Sequence, residues 1–200
     1  MNLYLNTVSD LLWNALNQLM LIEEFNRFRL VGGTSLSLQL GHRESIDIDL
    51  FTDADYGSID FSILEAKLIE TFPYVDSSSV DIVGMGKSYF IGNNEHELVK
   101  LDLFYTDPFV FPLVYHQNIR FSSIEEVAAM KFELIANGAR KKDFWDIHEL
   151  LKMFTLDEMI GFYIKRNPYG YSKDEILYKI TDFSKAEDDF TPNCHKEKVW

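Results

Sequence analysis

A chain of 200 residues with 46 % hydrophobic and 14 % aromatic side chains can bury one sizeable core, so it is neither a disordered nor a collagen-like sequence. Nineteen basic residues against 32 acidic ones leave a net charge of −13, which excludes a broad basic coat for non-specific nucleic-acid binding and argues against DNA as a partner. The single cysteine, Cys194, excludes an internal disulfide and a cysteine-built zinc centre; with no long apolar run and no signal-like N-terminus, a soluble cytoplasmic chain with no membrane partner is expected.

In chain order, residues 7–27 place Leu11, Leu12, Ala15, Leu16, Leu19 and Ile22 on one helical face, with Thr7 or Ser9 as cap. A short strand is predicted over 28–31, stopped by Gly32-Gly33, then a helix over 34–40 stopped by Gly41. Residues 46–51 alternate apolar and acidic, the period of a two-faced strand. A helix over 60–72 precedes β-leaning stretches at 80–85, 88–91 and 97–105, separated by Gly84, Gly86 and a turn at Gly92-Asn93-Asn94. One more short strand is predicted at 119–121, and helices at 124–137, 142–153, 156–166 and 173–186. The reading is an α+β fold, a mixed sheet flanked by helices, with a core domain over 1–115 and a helical C-terminal region over 116–200.

The informative segment is VGGTSLSLQLGHRESIDIDLF, residues 31–51. Asp47 and Asp49 are two apart in a strand and leave one face, while Ile46, Ile48 and Leu50 take the other. Adjacent carboxylates repel unless a cation sits between them, and Mg²⁺ suits hard oxygen ligands completed by a triphosphate. Gly32 and Gly33 let a backbone approach a ligand closely; Thr34 and Ser35 follow at a helix start, where free N–H groups and hydroxyls cradle phosphate. This is neither a Walker loop nor a dinucleotide fingerprint. His42 and Arg43, just past Gly41, are within reach of a nucleotide.

Asp102, in VKLDLFY, is a third metal ligand or a general base if its strand neighbours 46–51, and otherwise an edge-strand aspartate. In the helical half Lys131 sits among apolar residues, where a lysine is costly unless paired. Asp143 and Asp146 share a face of the next helix behind the basic run Arg140-Lys141-Lys142, which is either a solvated helix start or a cradle for triphosphate. Phe144, Trp145, Phe162 and Tyr163 are expected in the core, and the histidines lack metal-ligand spacing.

Two stretches, VGGTSLSLQLGHRESIDIDLF and Lys131 followed by RKKDFWDIHELL at 140–151, closely resemble the two signatures of the AbiEii toxin family within the DNA polymerase β-like nucleotidyltransferases. The resemblance implies transfer of a nucleoside monophosphate from an NTP to an acceptor hydroxyl, with Mg²⁺ as cofactor. It assigns Ser35, with Thr34 beside it, to the triphosphate, Asp47 and Asp49 to metal, Lys131 to phosphate, and Asp146 with Asp143 to completing the site. It further implies a toxin with a cognate antitoxin and tRNA acceptor stems as substrate. Alternatives from other classes are a non-catalytic binding protein of the same fold, and a transferase acting on a cationic small molecule of the aminoglycoside type.

Overall fold

The structure is a computed structural model that describes residues 2–77, 84–196 and 199–200. Seven strands form one mixed sheet: β1 Arg29–Leu30, β2 Asp47–Thr52, β3 Tyr74–Ser77, β4 Gly86–Asn94, β5 Glu97–Tyr105, β6 Leu113–His116 and β7 Ile119–Ser122. Their order is β3-β4-β5-β2-β1-β7-β6. The central pair β2–β5 is parallel, as is β1–β7; the other neighbours are antiparallel.

The period-2 pattern of β2 and β5 sorts the two faces of this sheet. Ile48, Leu50, Leu101 and Leu103 point into a core with helices α1 (Asp10–Leu21) and α3 (Phe61–Thr71), which contribute Leu12, Leu16 and Leu19, and Phe61, Leu64 and Leu68. The opposite face carries Asp47, Asp49, Phe51 and Asp102, all partly exposed. A second core joins α2 (Gly32–Leu40), through Leu36, to α4 (Ile124–Ala136), α5 (Lys141–Leu150), α6 (Leu156–Arg166) and α7 (Lys173–Lys179). A short helix α8 (Ser184–Glu187) follows. Both cores belong to one layered arrangement, with the acidic sheet face opposing α4 and α5.

Local chemistry sets the helix ends. The Ser9 hydroxyl accepts from the Leu12 N–H at 3.1 Å, and Asp60, Ser123, Thr155 and Ser172 act alike at later helices. Gly41 closes α2 in the left-handed conformation at φ 65°, which a side chain would resist. The helix predicted over 7–27 is shorter, because the chain turns extended at Ile22 and a 3-10 turn takes Glu23–Phe25. The predicted turn at Gly92-Asn93-Asn94 belongs instead to β4, which reverses two residues later. The predicted helix over 173–186 is broken between α7 and α8, where the backbone leaves its regular bonding at Ile180.

Strands β3 and β6 carry no clear apolar alternation and were not anticipated. Of the strand expected at 80–85, residues 80–83 lie outside the described residues. The boundary expected at 115 falls inside β6, and the sheet runs on to Ser122 before the helices begin. Among the described residues no helix is long and apolar enough to cross a membrane.

Candidate active site

The site begins with strand register. Asp49 of β2 stands beside Asp102 of β5, and Asp47 beside Lys100. Like charges therefore meet on one face of the sheet. Burial, then the Asp102 charge, pushes the Asp49 carboxyl up to about 6, against the pull of Lys131. Asp102 accepts from the Ser88 hydroxyl at 2.5 Å and from Lys100 Nζ at 2.6 Å. Lys142 Nζ lies 3.8 Å from Asp47 Oδ2.

Against these carboxylates packs the turn into α2. The Val31 N–H donates to the Asp49 carbonyl at 3.0 Å, which fixes the turn on the strand. Gly32 has φ 68°, and a Cβ there would overlap the Asp49 carboxylate; a Cβ at Gly33 would strike the Arg43 guanidinium. Gly32 is thus required by conformation as well as by contact, and Gly33 by contact alone. No side chain caps this helix start, so its first N–H groups are left for a ligand.

Behind the site lies a buried charge network. The Asp146 carboxylate, fully buried, takes Arg43 at both oxygens (Nε to Oδ1 2.7 Å, Nη2 to Oδ2 2.8 Å), His42 Nε2 at 2.7 Å and Lys131 Nζ at 2.7 Å. Although burial opposes it, the Arg43 and Lys131 charges hold this carboxyl well below the ordinary range. Lys131 also binds Asp143 Oδ1 at 2.6 Å; burial lowers its proton affinity, but Asp146 and Asp143 outweigh that and keep it charged. Asp143 Oδ2 in turn accepts the Arg140 N–H at 3.0 Å, capping α5. One lysine is therefore fixed by two carboxylates on the next helix.

A cleft of about 520 Å³ opens between sheet and helices. Gly32, Gly33, Asp49, Lys131, Arg140, Lys142 and Asp143 line one end; Phe51, Thr106, Val127, Met130, Glu133 and Leu134 line the rest. Its size is that of ordinary small-molecule pockets, roughly 300–1,000 Å³. A negatively charged sheet face, an uncapped helix start and three cations around one cavity are suited to a polyphosphate.

The sequence model of the family described as "Nucleotidyl transferase AbiEii toxin, Type IV TA system" matches residues 14–167. This chain belongs to the AbiEii family. Searching curated proteins gives no match. Among solved structures, MenT4, a nucleotidyltransferase toxin from Mycobacterium tuberculosis H37Rv, is 14 % identical at a TM-score of 0.50, over 74 % of this chain and 62 % of that one. This chain therefore spans less than two thirds of MenT4. An antigenic nucleotidyltransferase-like protein from Paracoccidioides brasiliensis is 16 % identical at a TM-score of 0.52, over 86 % of this chain and 93 % of that one. At such identities the likeness establishes the nucleotidyltransferase fold, as does the mixed sheet with its flanking helices.

Within this AbiEii-family chain, the structure brings Gly33, Asp49, Lys131 and Asp143 to the cleft and sets Asp47 and Asp102 beside Asp49 on the sheet. It corrects four expectations of direct ligand contact. Arg43, expected at the nucleotide, is spent on Asp146 and is buried. Asp146, expected at the reacting centre, has both oxygens taken by Arg43, His42 and Lys131 and does not line the cleft. The Thr34 hydroxyl donates to the Asp47 carbonyl and accepts from the Ser45 hydroxyl, and the Ser35 hydroxyl accepts from Gln39 at 3.0 Å; both are fully buried. Both hydroxyls are therefore engaged within the protein, and at this turn it is Gly32 and Gly33 that line the cleft. Gly32, singled out in the sequence for close backbone approach, lines the cleft with a positive φ; sequence reasoning missed Phe51 and Glu133, whose place on the cleft depends on helix α4 opposing β2.

Among the described residues no three acidic, histidine or cysteine side chains are already gathered as a metal site. The donor set nonetheless fits a hard divalent cation, since Asp47, Asp49 and Asp102 offer only carboxylate oxygen. Lys100 and Lys142 now supply the countercharge, and the upward push on Asp49 measures how poorly it is met. Asp47 and Asp49, with Asp102 beside them, would hold the ion.

Proposed function

We propose that the chain transfers a nucleoside monophosphate from an NTP to an acceptor hydroxyl. The observation that carries this reading is the pairing of Asp49 with Asp102 on the sheet face directly against the Gly32-Gly33 turn, within one cleft that also holds Lys131 and Lys142. The glycine N–H groups and the α2 dipole receive phosphate oxygens. Lys131, held by Asp143 and Asp146, and the α5 residues Arg140 and Lys142 meet the charge that builds on the departing pyrophosphate. Asp47 and Asp49 hold Mg²⁺, which neutralises the triphosphate when bound.

The acceptor oxygen bonds to the α-phosphorus as the bond to the pyrophosphate oxygen breaks, and the hydroxyl proton passes to a carboxylate. We assign that role to Asp102, whose position beside Asp49 on the sheet face supports the reading. Catalysis is mainly orientation and charge matching. We read the chain as the toxin of a toxin–antitoxin pair working in the cytoplasm, with a cognate antitoxin protein as partner and the tRNA 3′ end as acceptor; family membership supports this. The test is to incubate the protein with Mg²⁺, total tRNA and each α-³²P-labelled NTP, beside Asp49→Asn. Label on RNA that disappears in the variant is the expected result; equal labelling by both proteins overturns the assignment.

A further inference from the structure

The cleft has two unlike ends. Along β2 the same face presents Asp47, Asp49 and Phe51, so two residues past the carboxylates, roughly 7 Å on, the wall turns aromatic. Opposite it, α4 offers Met130, Glu133 and Leu134 at helical spacing, with Val127 one turn earlier. Such a chamber of one ring and three aliphatic side chains suits a flat heterocycle. Phosphates belong at the other end, with the glycine turn, Lys131, Arg140 and Lys142.

Glu133 is the one acidic group in this apolar end, and its carboxylate has no hydrogen-bond or ion-pair partner among the described residues. The neighbouring cation does not serve it. Arg166 is committed to Glu126 at 3.0 Å and to the Thr106 hydroxyl at 2.5 Å, and makes no ion pair with Glu133. Glu126 is committed in turn to the Val110 and Phe111 N–H groups at 2.9 and 2.8 Å. A half-buried carboxylate lining a cavity with no protein donor leaves its oxygens to solvent or to a donor on a ligand. Burial pushes its carboxyl upward, with Arg166 pulling the other way, in keeping with an unmet acceptor.

Building on the nucleotidyl-transfer reading, we propose that Glu133 selects the nucleobase of the NTP, admitting bases that offer an exocyclic amino group and rejecting uracil. Guanine, adenine and cytosine each present an amino group to a carboxylate. Uracil offers a single N–H flanked by two carbonyl oxygens, which a carboxylate repels. The selection is a matter of hydrogen-bond polarity rather than size, so Phe51, Val127 and Met130 hold any base while Glu133 decides among them.

The experiment is calorimetric titration of the full chain in Mg²⁺ buffer with ATP, GTP, CTP and UTP, for the wild type, Glu133→Gln and Glu133→Leu. Glu133 is only half-buried and its side chain supports no neighbour, so both variants are expected to keep the wild-type melting curve by circular dichroism. The wild type should bind UTP at least about tenfold more weakly than its best amino-bearing NTP, the scale of a hydrogen bond to a charged group. Glu133→Gln, whose amide can donate to a uracil carbonyl, should close most of that gap, and Glu133→Leu should flatten the series. If the NTPs bind with a preference that neither variant alters, or the wild type does not disfavour UTP, the inference about Glu133 fails while nucleotide binding stands. Absence of binding by every NTP would instead remove the nucleotidyl-transfer reading and this inference with it.

Discussion

Asp49 carries two opposed demands. The metal-binding role proposed above needs it ionised, yet burial and the neighbouring Asp102 raise its proton affinity to about 6 from an ordinary 3.8. A raised carboxyl favours the folded state while protonated, so its contribution is greatest near pH 4 and is lost as pH rises through 6. In EDTA at pH 7, Asp49→Asn should therefore be more stable than the wild type, by about 1–2 kcal/mol after allowing for solvent around a partly exposed group. That corresponds to about 3–6 °C in melting temperature, shrinking towards zero near pH 4. The same variant should lose at least about 10²-fold in labelling activity, the usual cost of deleting a charge-stabilising group. Added Mg²⁺ should raise the melting temperature of the wild type but not of the variant. Asp146 behaves in the opposite way: Asp146→Ala strands Arg43 as a buried charge, leaves Lys131 with Asp143 alone, and should cost about 3–5 kcal/mol, read from denaturant midpoints. The Asp47/Asp49 pair was legible in the sequence because alternation in a strand fixes a face. The burial of Arg43 and Asp146 was not, since residues about a hundred positions apart meet only through the packing of α2 against α5.

At the level of elements, the start of α2 and the start of α5 do most of the positioning. Gly32 is fixed from both sides, by a positive φ and by contact with Asp49, so Gly32→Ala combines backbone strain with displacement of the carboxylate. Strain alone should lower stability by about 1–2 kcal/mol. Activity should fall by more than about 10²-fold, because a misplacement of about 1 Å carries that penalty. Thermal melts and tRNA labelling on one preparation check both, and a variant as active as the wild type would show that the turn does not seat the phosphates. The α5 start is braced by Asp189, which takes the Arg140 side chain at 3.0 Å and the Lys141 N–H at 3.1 Å. Strongly patterned elements such as β2, β5 and α4 could be read from spacing. β3 and β6 could not, because edge strands of four residues with both faces partly wet leave no alternation to detect.

The whole molecule adds the C-terminal segment and the field. Cys194 bridges to Arg43 in antiparallel fashion, the Asn193 carbonyl accepts the Glu44 N–H, and Lys196 reaches Glu149, so the last residues close over the loop that delivers Arg43 to Asp146. Nothing in the composition of that segment announced this, since its contacts are with a loop some 150 positions earlier. On the tRNA reading proposed above, a chain of net charge −13 would have to meet a polyanionic acceptor, and Lys131, Arg140 and Lys142 line its cleft. Lys131 is buried between its two aspartates, whereas Arg140, paired with Asp189, and Lys142, beside Asp47, are the cations that solvent and an incoming phosphate reach. Affinity for RNA falls with salt in proportion to the phosphates neutralised, with a slope of about −0.7 to −0.9 per contact on a logarithmic scale. Two contacts, offset by repulsion from the acidic remainder that salt relieves, should give a slope no steeper than about −2 for tRNA between 50 and 300 mM NaCl. Fluorescence anisotropy with labelled tRNA measures it directly. A slope near −5 would require a basic track beyond this cleft and would move the acceptor to another face of the protein, whereas a shallow slope confines the contact to the acceptor end held beside Asp49.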